Sequence, residues 1–372
     1  GGGRLPRTAS GPLASRVLGP EGGQALSLER PLAHGWGGRR GSGAGSLGSD
    51  GGGAAAPGSL GSGGSSLEEQ EISRSLEAVN RGLAAGQLPH LAAGGTGGAY
   101  FMRDASGANV AIFKPEDEEP LARNNPRGLT LAAPVPDSLV VAGAVAAPEG
   151  LRRGTRVGEG PSREVAAFLL DHDGFAGVPP TTLAHLVDGY APRRGDSPLK
   201  RGSLQAFVAS DGEAEEMGTS MFPVGEVHKI TVLDLRLGNT DRNGGNILVS
   251  RGELGTTLTP IDHAYVLPRS LADITFEWQF WPQAEVPYGP EALEYIAGLD
   301  AEADLAKLRE HGIELPAESR TVLRVLTEAL KLSAAAGLAP GHIAGVVCRT
   351  EVNRMSVLEK MSSRARGVAK AA

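Results

Sequence analysis

The sequence predicts a mixed α/β (α+β) fold, and three observations point to it. Shortly after residue 66, apolar residues recur at helical spacing. Two short alternating runs, AYFMR and NVAIFK, are typical of strands joined in an antiparallel hairpin. A chain of 372 residues with 40% hydrophobic content is long enough for one large two-lobed domain or two ordinary ones. We therefore expect helices and a sheet around a sizeable core.

The first 65 residues have a different composition. They contain 21 of the 54 glycines, and Ser, Pro and Ala make up most of the remainder. Such a segment buries too little apolar surface to offset its ordering entropy, so residues 1–65 are predicted to be disordered.

Charge and cysteine content exclude several classes of protein. The net charge of -7 argues against a general nucleic-acid binder. The single cysteine, Cys348, excludes intrachain disulfides and a Cys-based zinc cluster, which favours a reducing, cytoplasmic setting. The most apolar stretch, SLVVAGAVAAP from Ser138, is about half a membrane span, so no transmembrane helix is expected.

The first ordered element is predicted to be a helix ending near Gly86. Ser66 and Glu69 have the spacing of a capping box at its start. Four apolar residues would lie on one face of this helix, namely Ile72, Leu76, Val79 and Leu83.

The next elements follow from turn residues and caps. The AYFMR and NVAIFK strands are separated by a turn around Ser106 and Gly107. Pro, Gly and Ala are frequent in residues 121–161, which we interpret as a long loop. The run SREVAAFLLDHDGF then predicts a helix capped by Ser162.

A candidate catalytic loop lies in the stretch LGNTDRNGGNILV. Asp241 and Asn246 have the D-x-x-x-x-N spacing with which kinases hold a substrate hydroxyl and a magnesium ion. An isolated instance is more often an Asx-rich turn that bonds its own backbone. Asp262, sixteen residues after Asn246 and directly after an apolar strand, is placed as a second metal-binding carboxylate and favours the catalytic interpretation.

A phosphate-binding loop and a cation are also predicted. The run AGGTGGAY precedes the first hairpin strand, so the N–H groups of Thr96, Gly97 and Gly98 could face phosphate oxygens, although an ordinary linker end has the same composition. Lys114 ends the alternating run NVAIFK and would project into a cleft, where a lysine needs a partner. Glu164 is the predicted partner; the alternative is a favourable charge at a helix N-terminus.

Six stretches together resemble the catalytic domain of plant and algal gamma-type phosphatidylinositol 4-kinases, which are related to the type II enzymes. The resemblance runs roughly from Ile72 to Arg349, with the motifs in the family's order. The stretches are GGAYFMRDASGANVAIFKPEDEEPLARNNPRG, REVAAFLLDHDGFAGVPPT, GSLQAFV, LDLRLGNTDRNGGNILV, PIDHAYVLP and FEWQFWPQA.

The resemblance implies a two-lobed protein-kinase-like fold that uses ATP and Mg²⁺ to phosphorylate phosphatidylinositol at the inositol 4-hydroxyl. It implies an N-lobe over residues 66–207, formed by an antiparallel sheet with a helix, and a mainly helical C-lobe over 208–350, followed by a basic tail over 351–372. By the same resemblance, Lys114 binds the α-phosphate, Glu164 is its partner, and the backbone near Phe207 and Val208 contacts adenine. Asp241 is the catalytic aspartate, and Asn246 and Asp262 are metal ligands.

The chain departs from the family's pattern at three points. Asn243 stands where a histidine often follows the catalytic Asp-Arg, so the base role is left to Asp241. Ala264 replaces the glycine of Asp-His-Gly. Cys348 stands alone where type II enzymes have a palmitoylated cysteine cluster, so membrane attachment would be peripheral or transient.

Two segments are candidates for contact with the membrane that carries phosphatidylinositol. Trp278 and Trp281 follow Asp262, although paired aromatics more often fill a core. From Arg349 onward the sequence contains six Lys or Arg and only two Glu. This positive charge could attract an anionic leaflet, although a solvated tail explains the same composition.

Two other functions remain open from the sequence alone. One is a protein Ser/Thr kinase on the same scaffold, although neither His-Arg-Asp nor Ala-Pro-Glu is present in the expected places. The other is a catalytically silent scaffold, although none of its usual signatures, a missing Lys, Asp or Asn, occurs here. The sequence identifies no protein partner.

Overall fold

The computed structural model describes residues 25–28, 67–131, 146–187, 199–253 and 255–371. Most of the segment predicted to be disordered, Ser66 and the centre of the predicted 121–161 loop lie outside these residues. Among them, the chain forms two antiparallel sheets and the helices between and after them.

A six-stranded sheet forms the first part of the fold. Its strands are β1 Leu26–Leu28, β2 His90–Leu91, β3 Tyr100–Arg103, β4 Asn109–Pro115, β5 Thr181–Val187 and β6 Leu199–Ala206, and they lie in the order β1-β5-β6-β4-β3-β2. Its central strands β4 and β6 pair with Lys114 opposite Ser203. The predicted hairpin is β3–β4, and Gly107 in its turn has a φ of 90°, which glycine adopts without strain.

Two helices pack on this sheet. Helix α1, Leu67–Ala84, buries the predicted apolar face against the strands. Helix α2, Gly160–Leu170, packs on β5 and contributes Phe168 and Leu170 to a core shared with later helices.

Three predictions about this region are wrong in part. Leu26–Leu28, inside the segment predicted to be disordered, form β1 because they pair with β5. Helix α2 begins at Gly160, because Pro161 fits the first turn, so Ser162 lies inside the helix and residues 160–161 do not belong to a loop. Elsewhere in the predicted 121–161 loop, Leu121 and Thr130 form an isolated bridge, which is compatible with a loop.

The second part is a small sheet surrounded by helices. Its strands have the order β7-β8-β9, with bounds Gly212–Glu213, Ile247–Gly252 and Gly255–Pro260. The helices are α3 Val224–Leu237, α4 Pro290–Gly298, α5 Ala301–Glu310, α6 Ala317–Ala335, α7 Pro340–Val347 and α8 Val357–Ala371. This arrangement agrees with the predicted two-lobed fold that joins an antiparallel sheet to a mainly helical part.

Helix α8 occupies most of the region predicted to be a basic tail. Its start is fixed because Glu359 accepts hydrogen bonds from Ser356 N, 2.8 Å, and from the Arg349 guanidinium, 2.6 Å. Leu358 is buried beside these residues. A purely solvated tail is therefore wrong for the start of this segment.

Candidate active site

Lys114 lies near the end of β4, on the strand face opposite the buried Ala111 and Phe113. Its ammonium group contacts the Glu164 carboxylate directly, and it lies 3.2 Å from Oδ1 of Asp262. Burial alone would lower the pKa of Lys114, but these two carboxylates outweigh that effect and raise it. Lys114 is therefore held as a cation.

Glu164 links the sheet to the chain beyond the second sheet. It projects from α2 with only 2% of its side chain exposed. One carboxylate oxygen accepts from Lys114, and the other accepts from the His263 backbone N–H over 3.1 Å. The predicted Lys114–Glu164 pair is thus present, and the His263 backbone N–H, next to Asp262, bonds the second oxygen of Glu164.

Asp262 follows β9 in a left-handed backbone conformation, with a φ of 55°. Aspartate tolerates this region better than most residues, because its short polar side chain can bond locally. The side chain keeps 44% of its surface exposed, so it can reach a ligand in the cleft. The nearby Lys114 ammonium lowers the pKa of Asp262, which keeps the carboxylate ionised.

One cleft brings most of the predicted residues together. It lies between the glycine-rich loop, the end of β4, the start of α2 and the chain after β9. The predicted residues that line it are Thr96, Gly97, Gly98, Lys114, Glu164 and Asp262.

The glycine-rich loop is braced by the chain that follows β4. Gly98 N–H donates to the Glu118 carbonyl over 2.9 Å, so the prediction that this group faces a phosphate is wrong. Asn125 donates its amide to the Thr96 carbonyl over 2.9 Å and to the Glu119 carbonyl over 3.0 Å. The Thr96 and Gly97 N–H groups remain candidates for phosphate binding.

Glu119 is a carboxylate in this cleft that the sequence interpretation missed. Its oxygens accept from Gly158 N, 2.9 Å, and Gly160 N, 2.8 Å, at the start of α2. Burial nevertheless raises the pKa of Glu119 to about 8. Glu119 is therefore largely protonated at neutral pH and adds little negative charge to the cleft.

The catalytic-loop motif is held by a buried carboxylate on α3. Helix α3 ends at Leu237 and is capped by Gly238, which has a φ of 60°. Asp234, fully buried, accepts from Arg242 Nε at 2.9 Å, Asn239 Nδ2 at 3.0 Å and Trp278 Nε1 at 2.9 Å. The only sequence signal for this role is a lone acidic residue inside the apolar run ITVLDLRL.

The same network orients the two motif residues. Asn246 donates its side-chain amide to the Asp241 backbone carbonyl over 2.9 Å. Arg242 donates to the Asn246 carbonyl, 2.5 Å, and to the Ile261 carbonyl, 2.8 Å, which joins the loop to the chain before Asp262.

Asp241 forms an ion pair with Arg152, a residue that the sequence interpretation left inside a loop. Burial raises the pKa of the Asp241 carboxyl, and the Arg152 charge opposes that rise. No local pattern predicts this contact, because 89 positions separate the two residues.

The donor set fits magnesium in its chemistry. Mg²⁺ prefers oxygen ligands and is commonly held by one or two carboxylates together with substrate phosphates. Asp262 offers a carboxylate that faces the cleft, and Asn246 has its amide nitrogen engaged, which leaves the amide oxygen for a cation. Within the described ranges, no group of three or more His, Cys, Asp or Glu side chains is arranged to hold a metal ion by itself.

The predicted adenine contacts of Phe207 and Val208 stay predictions, and the structure engages one backbone group of this pair. Phe207 N–H donates to the Val110 carbonyl over 3.1 Å, which extends the strand pairing beyond β6 and engages that donor. Val208, the next residue, is half-buried and stays a prediction.

The two tryptophans belong to the core. Trp278 is fully buried and stacks on Phe276 with ring centroids 4.7 Å apart, and Trp281 packs against Phe222. The suggested membrane contact through these rings is therefore wrong. Phe280, between them, is 82% exposed. In the part of the chain that the structure describes, no helix has both the length and the hydrophobicity needed to cross a bilayer.

Comparison with known proteins places this geometry in context. The family described as phosphatidylinositol 3- and 4-kinase matches residues 95–342. Phosphatidylinositol 4-kinase gamma 4 of Arabidopsis thaliana is 46% identical over 305 residues, which cover 78% of this chain and 51% of the relative. The protein of that name in Oryza sativa subsp. japonica is 48% identical over 290 residues, covering 75% and 48%. The chain spans about half the length of the curated relatives it matches.

Proposed function

Since this chain belongs to the phosphatidylinositol 3- and 4-kinase family, we propose that it transfers the γ-phosphate of ATP to the inositol 4-hydroxyl of phosphatidylinositol. The observation that carries the proposal is the cleft in which Lys114, Glu164 and Asp262 meet, with Asp241 on the adjoining loop. The choice of the 4-hydroxyl is supported by the relatives, which are named phosphatidylinositol 4-kinases.

The nucleotide would enter beneath the glycine-rich loop. Lys114 carries the charge to bind its α-phosphate, and Glu164 holds the ammonium in place. The backbone N–H groups of Thr96 and Gly97 would face phosphate oxygens. Val208 supplies backbone groups for adenine where the chain leaves β6.

Asp241 would orient the acceptor hydroxyl and take its proton. Its carboxylate lies on a loop fixed by buried hydrogen bonds, so the group needs little reorganisation during the reaction. A raised pKa brings this carboxylate closer to the pH at which a general base is efficient. Asp262 and Asn246 would hold Mg²⁺, which neutralises charge on the phosphates when bound.

The substrate implies contact with a membrane surface, because phosphatidylinositol is a bilayer lipid. We expect peripheral association. The basic residues Arg354, just before α8, and Lys360 and Arg364, in its first half, are the feature that supports it, because such groups are attracted to anionic lipid.

One assay tests the proposed activity. Purified protein is incubated with labelled ATP and Mg²⁺, with either vesicles of phosphatidylinositol in phosphatidylcholine or a generic protein substrate. The proposal expects label in phosphatidylinositol 4-phosphate, identified by separating the isomers, and little label in protein. The Asp241→Asn variant provides the background. Efficient labelling of the protein substrate, with no label in the lipid, would instead support a protein Ser/Thr kinase. No transfer to either acceptor would support a silent scaffold.

A further inference from the structure

Residues 149–156 form a tight turn, which we call the arginine turn. Glu149 and Arg156 pair as an antiparallel bridge at its base. At its tip, the Thr155 hydroxyl donates to the Arg152 carbonyl over 2.6 Å. The backbone of Arg152 is therefore fixed from within the turn.

The arginine turn is also attached to the chain after Asp262. The Gly154 carbonyl accepts from Arg269 N over 2.7 Å, and Arg153 N donates to the Asp273 carboxylate over 2.9 Å. Gly154 has a φ of 80°, and a Cβ there would lie 2.9 Å from Ser270 N. The turn thus lies against a neighbouring segment at a distance that only glycine permits.

This arrangement directs the Arg152 guanidinium at Asp241. A guanidinium has five N–H donors. Among the described residues, its Nε is buried and has no hydrogen-bond partner. The side chain is 39% exposed, so part of the guanidinium remains accessible to a ligand. An anionic group beside Asp241 would therefore meet the exposed part of this guanidinium, whereas the buried Nε lies out of its reach.

Other cations near Asp241 are already engaged. Arg242, the next residue, turns its guanidinium away to the buried Asp234. Lys114 is shared by two carboxylates. Asn243, the second residue after Asp241, is uncharged and donates its amide back to the Asp241 carbonyl over 3.2 Å.

We propose that Arg152 is a further catalytic residue, which binds the phosphoryl group while it moves from ATP to the acceptor. In this step the acceptor oxygen forms a bond to the γ-phosphorus and its proton passes to Asp241. The bond between the γ-phosphorus and the bridging oxygen breaks, and ADP keeps that electron pair. Negative charge is spread over the three oxygens of the phosphoryl group, where a fixed guanidinium stabilises it. The inference rests on the proposed phosphotransfer and applies to either a lipid or a protein acceptor.

The test compares three variants. Arg152→Gln removes the charge, Arg152→Lys restores it without the forked donors, and Arg153→Gln removes the same charge from the neighbouring residue, which faces Asp273. Transfer to the acceptor that the wild-type protein uses gives kcat and the KM for ATP. Calorimetry measures binding of ADP and Mg²⁺ with and without aluminium fluoride, which imitates the phosphoryl group in transfer.

For Arg152→Gln we expect kcat to fall about 100-fold or more, with the KM for ATP nearly unchanged. The gain in affinity that aluminium fluoride gives to ADP should disappear, while ADP alone binds as before. Arg152→Lys should recover part of both effects, and Arg153→Gln should resemble the wild type.

Three outcomes would overturn the inference. They are a kcat in Arg152→Gln no lower than in Arg153→Gln, an unchanged aluminium fluoride effect, or a rise in kcat, which would make the ion pair an inhibitory contact. Failure of the lipid proposal looks different, because wild-type protein would then not label phosphatidylinositol. The calorimetric comparison still decides the role of Arg152 in that case.

Discussion

Trp278 donates its indole N–H to Oδ2 of Asp234 over 2.9 Å, and both side chains are fully buried. Asp234 also accepts from the catalytic-loop residue Arg242. A tryptophan of the segment after Asp262 and an arginine of the catalytic loop therefore share one carboxylate. The packing of Trp278 and the position of Arg242 therefore depend on the same buried carboxylate.

We expect Trp278→Phe to destabilise the protein. Phenylalanine keeps a ring against Phe276 but removes a donor to a buried carboxylate, which costs about 1–3 kcal/mol. Urea denaturation followed by circular dichroism measures the change. The matched control is Phe280→Leu, at a side chain that is 82% exposed, and it should change the free energy of unfolding by less than about 0.5 kcal/mol. Equal stabilities for the two variants would contradict this account.

Lys114→Met should reduce kcat/KM for ATP about 100-fold or more, because it removes the cation that we propose binds the phosphates. Steady-state kinetics at varied ATP concentration measure this loss. Lys229→Met makes the same chemical change on α3, where the lysine pairs with Glu226. This control should behave as wild type, and unchanged ATP kinetics in Lys114→Met would place the nucleotide elsewhere.

Asp241→Asn should lower kcat by about 100-fold or more without unfolding the chain. The change keeps the size of the side chain but removes the carboxylate that we propose accepts the proton. Melting curves and single-turnover rates test the two parts separately. Asp300→Asn makes the same change at a carboxylate that accepts from Glu302 N at the start of α5, and it should retain turnover. Near-normal transfer by Asp241→Asn would rule out its assigned role.

Gly98→Ala should weaken ATP binding. An added Cβ would lie 2.8 Å from Glu118 Cβ, so the glycine-rich loop must move. Overpacking of this kind costs about 1–3 kcal/mol, so we expect the KM for ATP to rise about tenfold. Gly94→Ala meets no atom within 4 Å and is the control. If both variants have the wild-type KM, the contact between this loop and Glu118 does not set the nucleotide site.

Glu119 should make stability fall as pH rises. Its pKa is about 8 in the folded protein against an ordinary value of 4.5, so the folded state binds the proton more tightly. The stability that this proton contributes is complete below about pH 4.5 and is lost as pH rises through about 8. Urea denaturation from pH 5 to 9 should show this decline, and Glu119→Gln should reduce it. Parallel curves for the two proteins would contradict the raised pKa.

The parts of the site that local spacing controls were predictable from the sequence. Alternation along β4 placed Lys114 on the face of the cleft, and the five-residue spacing placed Asp241 and Asn246 on one loop. The helix start at Gly160 was missed because Ser162 has the side chain of a capping residue, whereas Pro161 fits the first turn of a helix that begins earlier.

The remaining features depend on distant partners. Gly98 N–H is engaged by a carbonyl twenty positions away, and no composition rule indicates that contact. The indole N–H of the buried Trp278 bonds Asp234, whose other partners, Asn239 and Arg242, come from the loop after α3. Arg152 is the extreme case, because the role we propose for it rests on a turn that Arg269 N bonds and not on any motif.

Strand β1 has a consequence for shortened forms of this protein. Leu26–Leu28 cover the side of β5 that would otherwise present unpaired backbone groups, and Asn80 of α1 bonds both the N–H and the carbonyl of Leu26 over 2.8 and 3.0 Å. An uncovered strand edge is a template for pairing between molecules. A truncation that starts at α1 would therefore expose β5 and favour self-association, even though it keeps every residue of the cleft.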